Sequence, residues 1–481
     1  MHANATIVAM HSIPESPISE HALNATAPPN TFGERTLQRK GLYLGLEGNS
    51  WSWAGPQRSV MILGPSRSGK TSSLVIPNLL LAEGPVVSTS TKPDVMLATA
   101  PHRSSAGWSF LYDPSGEIEC PKGVERIGWS PLTTARDWDT AYQTARTMVE
   151  STRLTSGSSA RGGGDNHWNE RAGALLAPLL HAAAQENLPM KTVVGWIQRH
   201  DATTPLKILA QGVGEESNAT QGLAGIISTD AREQSGIWST ASGVVSAYQS
   251  TSAMATTEFP PIDPAEFCQG ANTMYICSPG RRQHLFAPLI VAAIGDIRDA
   301  TYQLNRQGSA VAPTLLALDE VANIAPIPDL PQLVSEGAGQ GLLVMACLQD
   351  LSQARGRWPG AADGFVSLFG TTVVLPGVAD PQTLRSLSAL GGDMEVSTTT
   401  ISHSLGRHGS IRPSSSVGTV RIPRHAEDAI AHGETGHALV VGQDRRFRDV
   451  QLTPAHASSP WREMTAIDRH RARPTSHDRQ R

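Results

Sequence analysis

Gly64-Pro65-Ser66-Arg67-Ser68-Gly69-Lys70-Thr71 is the stretch that decides how this chain is read. A glycine, four residues and then Gly-Lys-Thr is the phosphate-loop pattern. Val60-Met61-Ile62-Leu63 before it reads as a short buried strand, and Thr71 to Ala82 after it as a mostly apolar helix. A glycine-containing surface turn would match by chance without such flanks. In this context the loop and the helix N-terminus cradle phosphates through backbone N–H groups. The expected nucleotide-binding residues are Gly64, Pro65, Ser66, Arg67, Ser68, Gly69, Lys70, Thr71 and Ser72. Lys70 adds a point charge near the β- and γ-phosphates, and Thr71 offers its hydroxyl to Mg²⁺.

The second half of such a site lies far along the chain. Thr314-Leu315-Leu316-Ala317-Leu318-Asp319-Glu320 is an apolar strand ending in two carboxylates, the Walker B pattern. Asp319 is expected to orient the Mg²⁺ shell and Glu320 to polarise the attacking water. Ligands of open α/β sheets bind beyond the carboxyl ends of the strands, so both halves meet at one edge. The strand at 341–348 ends at Gln349-Asp350, which reads either as an amide placed to sense the γ-phosphate or to position water, or as a polar pair capping the next helix. The predicted catalytic set is therefore Lys70, Glu320 and Gln349, with Thr71 and Asp319 toward the metal. Thr91-Lys92-Pro93-Asp94 and Asp113-Pro114-Ser115-Gly116 mimic guanine-reading and switch signatures, but their order is the reverse of a GTPase's, so Lys92 and Asp113 are expected at strand ends beside the nucleotide or an interface.

The 481 residues imply roughly two to three domains. Hydrophobic content is 39% and charged content 17%, enough for a sizeable core. Net charge is −4, so contact with nucleic acid must come from a local patch rather than the overall field. Cysteines at 120, 268, 277 and 347 show no metal spacing and read as reduced thiols. No run approaches the length of a membrane-spanning segment, and the N-terminus lacks the layout of a signal peptide.

Eight apolar runs read as strands buried on both faces: 60–63, 85–89, 108–112, 273–277, 314–318, 342–348, 372–375 and 438–441. Helical patterns at 287–305 and 329–337 separate some of them, which predicts a mainly parallel α/β sheet. Residues 137–258 show no convincing strand; helical spacing recurs, as at Trp168, Ala172, Leu175, Leu176 and Leu179, around a glycine- and serine-rich stretch at 156–164 that reads as a flexible loop. The expected organisation is a disordered leader over 1–38, a nucleotide-binding domain over 39–136 and 259–455, an all-α insertion over 137–258, and a disordered Arg-rich tail over 456–481. A polar excursion is expected over 394–418.

Several of these stretches, taken in order, resemble one family. Arg67-Ser68-Gly69-Lys70-Thr71 leads into Val75-Ile76-Pro77-Asn78-Leu79-Leu80; Ser90-Thr91-Lys92-Pro93-Asp94, Asp113-Pro114-Ser115-Gly116 and Trp129-Ser130-Pro131-Leu132 follow; Asp319-Glu320 and Gln349-Asp350-Leu351-Ser352-Gln353 come later. Together they are similar to the type IV secretion coupling proteins, the TraG/TraD class of conjugative DNA-transfer ATPases, in a form like actinobacterial members. The resemblance implies a RecA-like P-loop NTPase domain interrupted by an all-α domain. It implies ATP and Mg²⁺ as cofactors and homo-hexamers with nucleotide at subunit interfaces. The implied partners are single-stranded DNA, relaxase and relaxosome proteins, and the ATPases and membrane components of the secretion channel. Lys70, Thr71, Asp319, Glu320 and Gln349 carry over by position.

Two departures stand out. Typical members begin with transmembrane helices, whereas here the chain is expected in the cytoplasm, peripheral at the inner face of the membrane and recruited by a partner. Many members carry an arginine where this chain has Glu336-Gly337-Ala338-Gly339-Gln340-Gly341. Either Arg355, Arg357, Arg385 or another residue then supplies that charge, or hydrolysis is weak. The alternatives are a septal-type DNA translocase and a non-hydrolysing, nucleotide-bound docking receptor for protein cargo.

Overall fold

In a parallel sheet both faces are covered by helices, so its strands alternate between two apolar layers rather than between oil and water. The computed structural model, which describes residues 41–155, 163–310, 312–405 and 411–465, has this construction. Its strands are β1 (Tyr43–Glu47), β2 (Ser50–Trp53), β3 (Val60–Leu63), β4 (Val86–Ser90), β5 (Ser109–Tyr112), β6 (Glu125–Arg126), β7 (Thr273–Cys277), β8 (Thr314–Leu318), β9 (Leu342–Leu348), β10 (Thr371–Val374), β11 (Asp393–Leu405), β12 (Ile411–Pro423), β13 (His437–Val441) and β14 (Phe447–Gln451). Twelve of them form one sheet, in the order β2-β1-β14-β13-β10-β3-β9-β8-β4-β7-β5-β6. From β10 to β6 every pairing is parallel, and from β10 back to β2 every pairing is antiparallel. The mainly parallel α/β fold expected from the apolar runs is the observed one.

The period-2 rule divides the interior into two cores. Met61 and Leu63 of β3, Leu316 and Leu318 of β8, and Val344 and Ala346 of β9 face one layer. Val60, Ile62, Leu315, Ala317, Leu343 and Met345 face the other. The first layer is closed by the helix Gln283–Arg306 and the helical insertion, the second by the helices that follow β3 and β4.

No strand lies between β6 and β7 among the described residues. Helices occupy that interval: Trp138–Thr155, Gly163–Gln185, Met190–Arg199, Thr203–Gly212, Asn218–Ile227, Ala231–Val244 and shorter ones up to Pro264–Cys268. Ser217 and Asp230 start two of them by accepting backbone N–H groups, which supplies partners that a helix N-terminus otherwise lacks. These helices are not an island. Trp138–Thr155 lies against Gln283–Arg306, and residues of both share the first core.

That junction contains a buried carboxylate. Asp296, on the helix Gln283–Arg306, accepts from Trp129 Nε1 at 2.8 Å and from Thr134 Oγ1 at 3.4 Å. Burial pushes its pKa up to about 7, against smaller lowering by the Trp129 hydrogen bond. An acid whose folded-state pKa is raised binds its proton more tightly in the folded chain. Its stabilising contribution is complete below the ordinary value of 3.8 and is lost as pH rises through about 7. Asp296→Asn should therefore gain on the unaltered chain by about 3 kcal/mol as pH rises from about 5 to about 8. Denaturant unfolding of both chains across that range checks it; parallel stability curves would show that Asp296 does not titrate there.

The structure adds elements that the apolar runs do not mark. β1 and β2 form a hairpin around Gly48 and Asn49, and β14 joins β1 to the sheet. The polar excursion expected over 394–418 is instead a ribbon: β11 and β12 pair over their whole length, apart from the large sheet. Its Thr- and Val-containing runs have strand propensity that polarity conceals. The expectation of a disordered tail also fails at its start. Trp461–Thr465 is a helix, and Trp461 is buried with its ring 5.3 Å from Tyr43 and 5.1 Å from Trp51. The leader over 1–38 and the rest of the tail lie outside the described residues.

Candidate nucleotide-binding site

β3 delivers the phosphate loop to the carboxyl edge of the sheet, with β9 and β8 beside it and β4 beyond. Two glycines make the loop possible. Gly69 has φ +95°, and a Cβ on Gly64 would stand 2.7 Å from Ser68 Oγ and 3.0 Å from Leu375 Cβ. Arg67 is also left-handed, at φ 65°. The expected helix after the loop begins as a π-turn, Thr71–Val75, and continues as an α-helix, Ile76–Leu81. Pro77 falls at the start of the α-helical part, directly after the π-turn.

The side chains then converge. Lys70 is buried, and its Nζ donates to Gly64 O at 2.5 Å and Pro65 O at 2.8 Å. Thr71 Oγ1 donates to Asp319 Oδ2 at 2.8 Å, across 248 residues of chain. Thr89 of β4 donates its hydroxyl to the Asp319 carbonyl at 3.0 Å, which fixes the end of β8. Burial pushes the Asp319 carboxyl up, the Thr71 hydrogen bond pulls it down, and neighbouring Glu320 raises it again. Glu320 has the left-handed backbone φ 54°, and its Oε2 accepts from Asn323 Nδ2 at 3.2 Å. A non-glycine residue at such a φ stores strain of order 1 kcal/mol, a cost that turns its carboxylate out of the strand direction.

These groups line a cavity of about 630 Å³ together with Ser66, Arg67, Ser68, Gly69, Ser72, Ser90, Thr91, Lys92 and Asp94. The donor set fits phosphate and a hard cation. Ser68 lines the cavity, and its buried hydroxyl has no hydrogen-bond partner among the described residues. Thr71 and Asp319 supply the hydroxyl and carboxylate oxygens that Mg²⁺ takes. Of the predicted loop residues, Ser66 to Ser72 line the cavity, while Gly64 and Pro65 lie behind it as acceptors for Lys70.

Other candidates fall elsewhere. Gln349 follows β9, between the phosphate loop and Asp319, but is not part of the cavity lining; its backbone N–H donates to Gln353 Oε1 at 2.9 Å. Asp113 is buried and organises its own turn, accepting from Ser115, Gly116 and Ile118. Arg355 is held by Asp380, and Arg357 by the carbonyls of Ala322 and Leu154. Arg385 is exposed, with a bond to its own helix at Pro381 O. Lys92, expected at a strand end beside the nucleotide or an interface, and Asp94 of the same stretch reach the cavity because β4 lies next to β8.

No curated protein matches the chain in sequence. Solved structures of the conjugative coupling protein TrwB are similar to it in fold. The unbound monoclinic form of TrwBdeltaN70 aligns at TM-score 0.62 and 17% identity, covering 87% of this chain and 89% of that one. TrwB in complex with ADP and Mg²⁺ aligns at TM-score 0.59 and 16% identity, covering 83% and 85%. TrwB with a non-hydrolysable ATP analogue aligns at TM-score 0.59 and 16% identity, covering 83% and 86%. The family model described as "Type IV secretory system Conjugative DNA transfer" matches residues 25–420. With that match over most of its length, the chain belongs to the type IV secretory system conjugative DNA-transfer family.

Proposed function

We propose that this chain is an ATPase that couples a relaxase–single-stranded DNA complex to a type IV secretion channel. The observation that carries the enzymatic part is the bond from Thr71 to Asp319, which joins the phosphate loop to the acidic end of β8. TrwB has been solved with ADP and Mg²⁺ at the same fold, which supports the same ligands here. Residues 66–72 would hold the phosphates, and Thr71 and Asp319 the Mg²⁺. When bound, the cation would neutralise charge developing on the phosphates.

The chain's own groups then divide the work. Lys70 exchanges its loop carbonyls for phosphate oxygens. Asp319, buried and close to Lys70, holds position through Thr71 and Thr89. Glu320, at the mouth of the cavity, takes a proton from the attacking water. Arg355 and Arg357 are already bound within the subunit, so a charge acting on a neighbour's nucleotide in a homo-hexamer falls to Arg385 or to another exposed arginine. No described helix is long and apolar enough to cross a membrane.

With a net charge of −4, DNA must be met by local basic groups such as the exposed pair Arg281–Arg282 beyond β7. Single-strand binding should therefore weaken as salt rises, by about 0.7 in the log–log slope per phosphate contacted, with little sequence preference. ATP hydrolysis should rise with added single-stranded DNA at low salt and lose that response at high salt. Salt-independent stimulation, or none, would overturn the DNA-coupled reading and favour a receptor for protein cargo.

A further inference from the structure

The cavity around Lys70 also has lining residues of different chemistry. They are Ile76, Ala98, Ala455, His456 and Thr465. Three of the five are apolar. None is charged except His456 when protonated. A cavity of about 630 Å³ is larger than a chain of phosphates needs and lies within the range of sites that bury a whole organic ligand.

The C-terminal part of this wall is fastened at two points. Ala455 N donates to Ser72 O at 2.8 Å, which ties the chain after β14 directly to the first turn beyond the phosphate loop. Further on, buried Trp461 packs between Tyr43 and Trp51 and anchors the helix that ends at Thr465. Releasing the segment would expose that indole, so the wall is part of the fold rather than a loose tail. His456 lies between the two anchors, is exposed and lines the cavity.

We propose that Ala455–Thr465 is the nucleoside wall of this site. It takes the base and ribose of a nucleoside triphosphate, with His456 stacking on the base or bonding the ribose, and Ile76 and Ala98 closing the apolar slot. This rests on the nucleotide reading of residues 66–72. An aromatic base has two apolar faces and a polar edge, and an apolar slot flanked by one imidazole and one hydroxyl matches it.

The test uses the full chain and two ligands, ATP and inorganic tripolyphosphate, each with Mg²⁺, titrated calorimetrically. His456→Ala and Ala98→Trp, the second filling the slot, should each weaken ATP binding by about tenfold, the size of one aromatic contact. Both should bind tripolyphosphate as the unaltered chain does. Lys70→Ala should weaken both ligands. Unchanged ATP affinity in both wall variants would overturn the inference, and so would equal losses for ATP and tripolyphosphate, since the segment would then act on the phosphate loop. Failure of the unaltered chain to bind ATP, or full binding by Lys70→Ala, would instead remove the site reading beneath it.

Discussion

Glu320→Gln is expected to bind ATP as tightly as the unaltered chain and to hydrolyse it about 10²–10⁴ times more slowly. The substitution keeps the size of the side chain and an oxygen that can accept from Asn323, as Glu320 Oε2 does at 3.2 Å. It removes the negative charge and the basicity needed to draw a proton from water. Its effect should therefore fall on the chemical step alone. Glu320 makes no hydrogen bond to Lys70 or Thr71, whose partners are the loop carbonyls and Asp319, so the phosphate-binding groups stay in place. Single-turnover hydrolysis beside equilibrium binding separates the two quantities. A wild-type rate would move water activation away from Glu320.

Lys70→Ala should lower ATP affinity by about 30-fold or more, because truncating one partner of a buried charge pair costs about 2–5 kcal/mol. In the free chain the ammonium is satisfied by Gly64 O and Pro65 O, so its charge is already desolvated and preorganised on the loop. Binding then exchanges these carbonyls for phosphate oxygens without a fresh desolvation of the charge, and the charge–phosphate attraction is lost with the side chain. Unfolding measured in the absence of nucleotide shows whether the variant is folded. ATP affinity like that of the unaltered chain in a folded variant would show that residues 64–71 do not hold phosphate.

These two substitutions address one site built from two distant stretches, and that distance separates what was readable from what was not. The phosphate loop is a local signal: two glycines where the backbone turns left-handed or meets a neighbour, a lysine and a threonine at fixed spacing. The apolar strands are local too, because burial on both faces removes polar alternation and leaves runs such as Leu342–Leu348. Asp319–Glu320 at the end of such a run places both carboxylates at the sheet's carboxyl edge. The parallel architecture, the helices between β6 and β7, and the meeting of Lys70, Thr71 and Asp319 at one edge follow from these patterns.

Strand order does not follow from them, and strand order decides the site. β9 lies between β3 and β8, which puts Gln349 next to the loop but outside the cavity, while β4 beside β8 brings in Lys92 and Asp94. The helical insertion looks self-contained in sequence, yet its first helix shares a core with Gln283–Arg306, because an apolar stripe does not name its partner. The β11–β12 ribbon is stabilised by pairing across the ribbon, which composition cannot display. The C-terminal wall is the clearest case. Ala455, His456 and Trp461 stand in a polar stretch with no periodicity, and only the return of the chain past β1 and the phosphate loop gives the Ala455 N–H its acceptor and the Trp461 ring its cover. Local patterns specify which side chains can do chemistry; long-range burial specifies which of them meet.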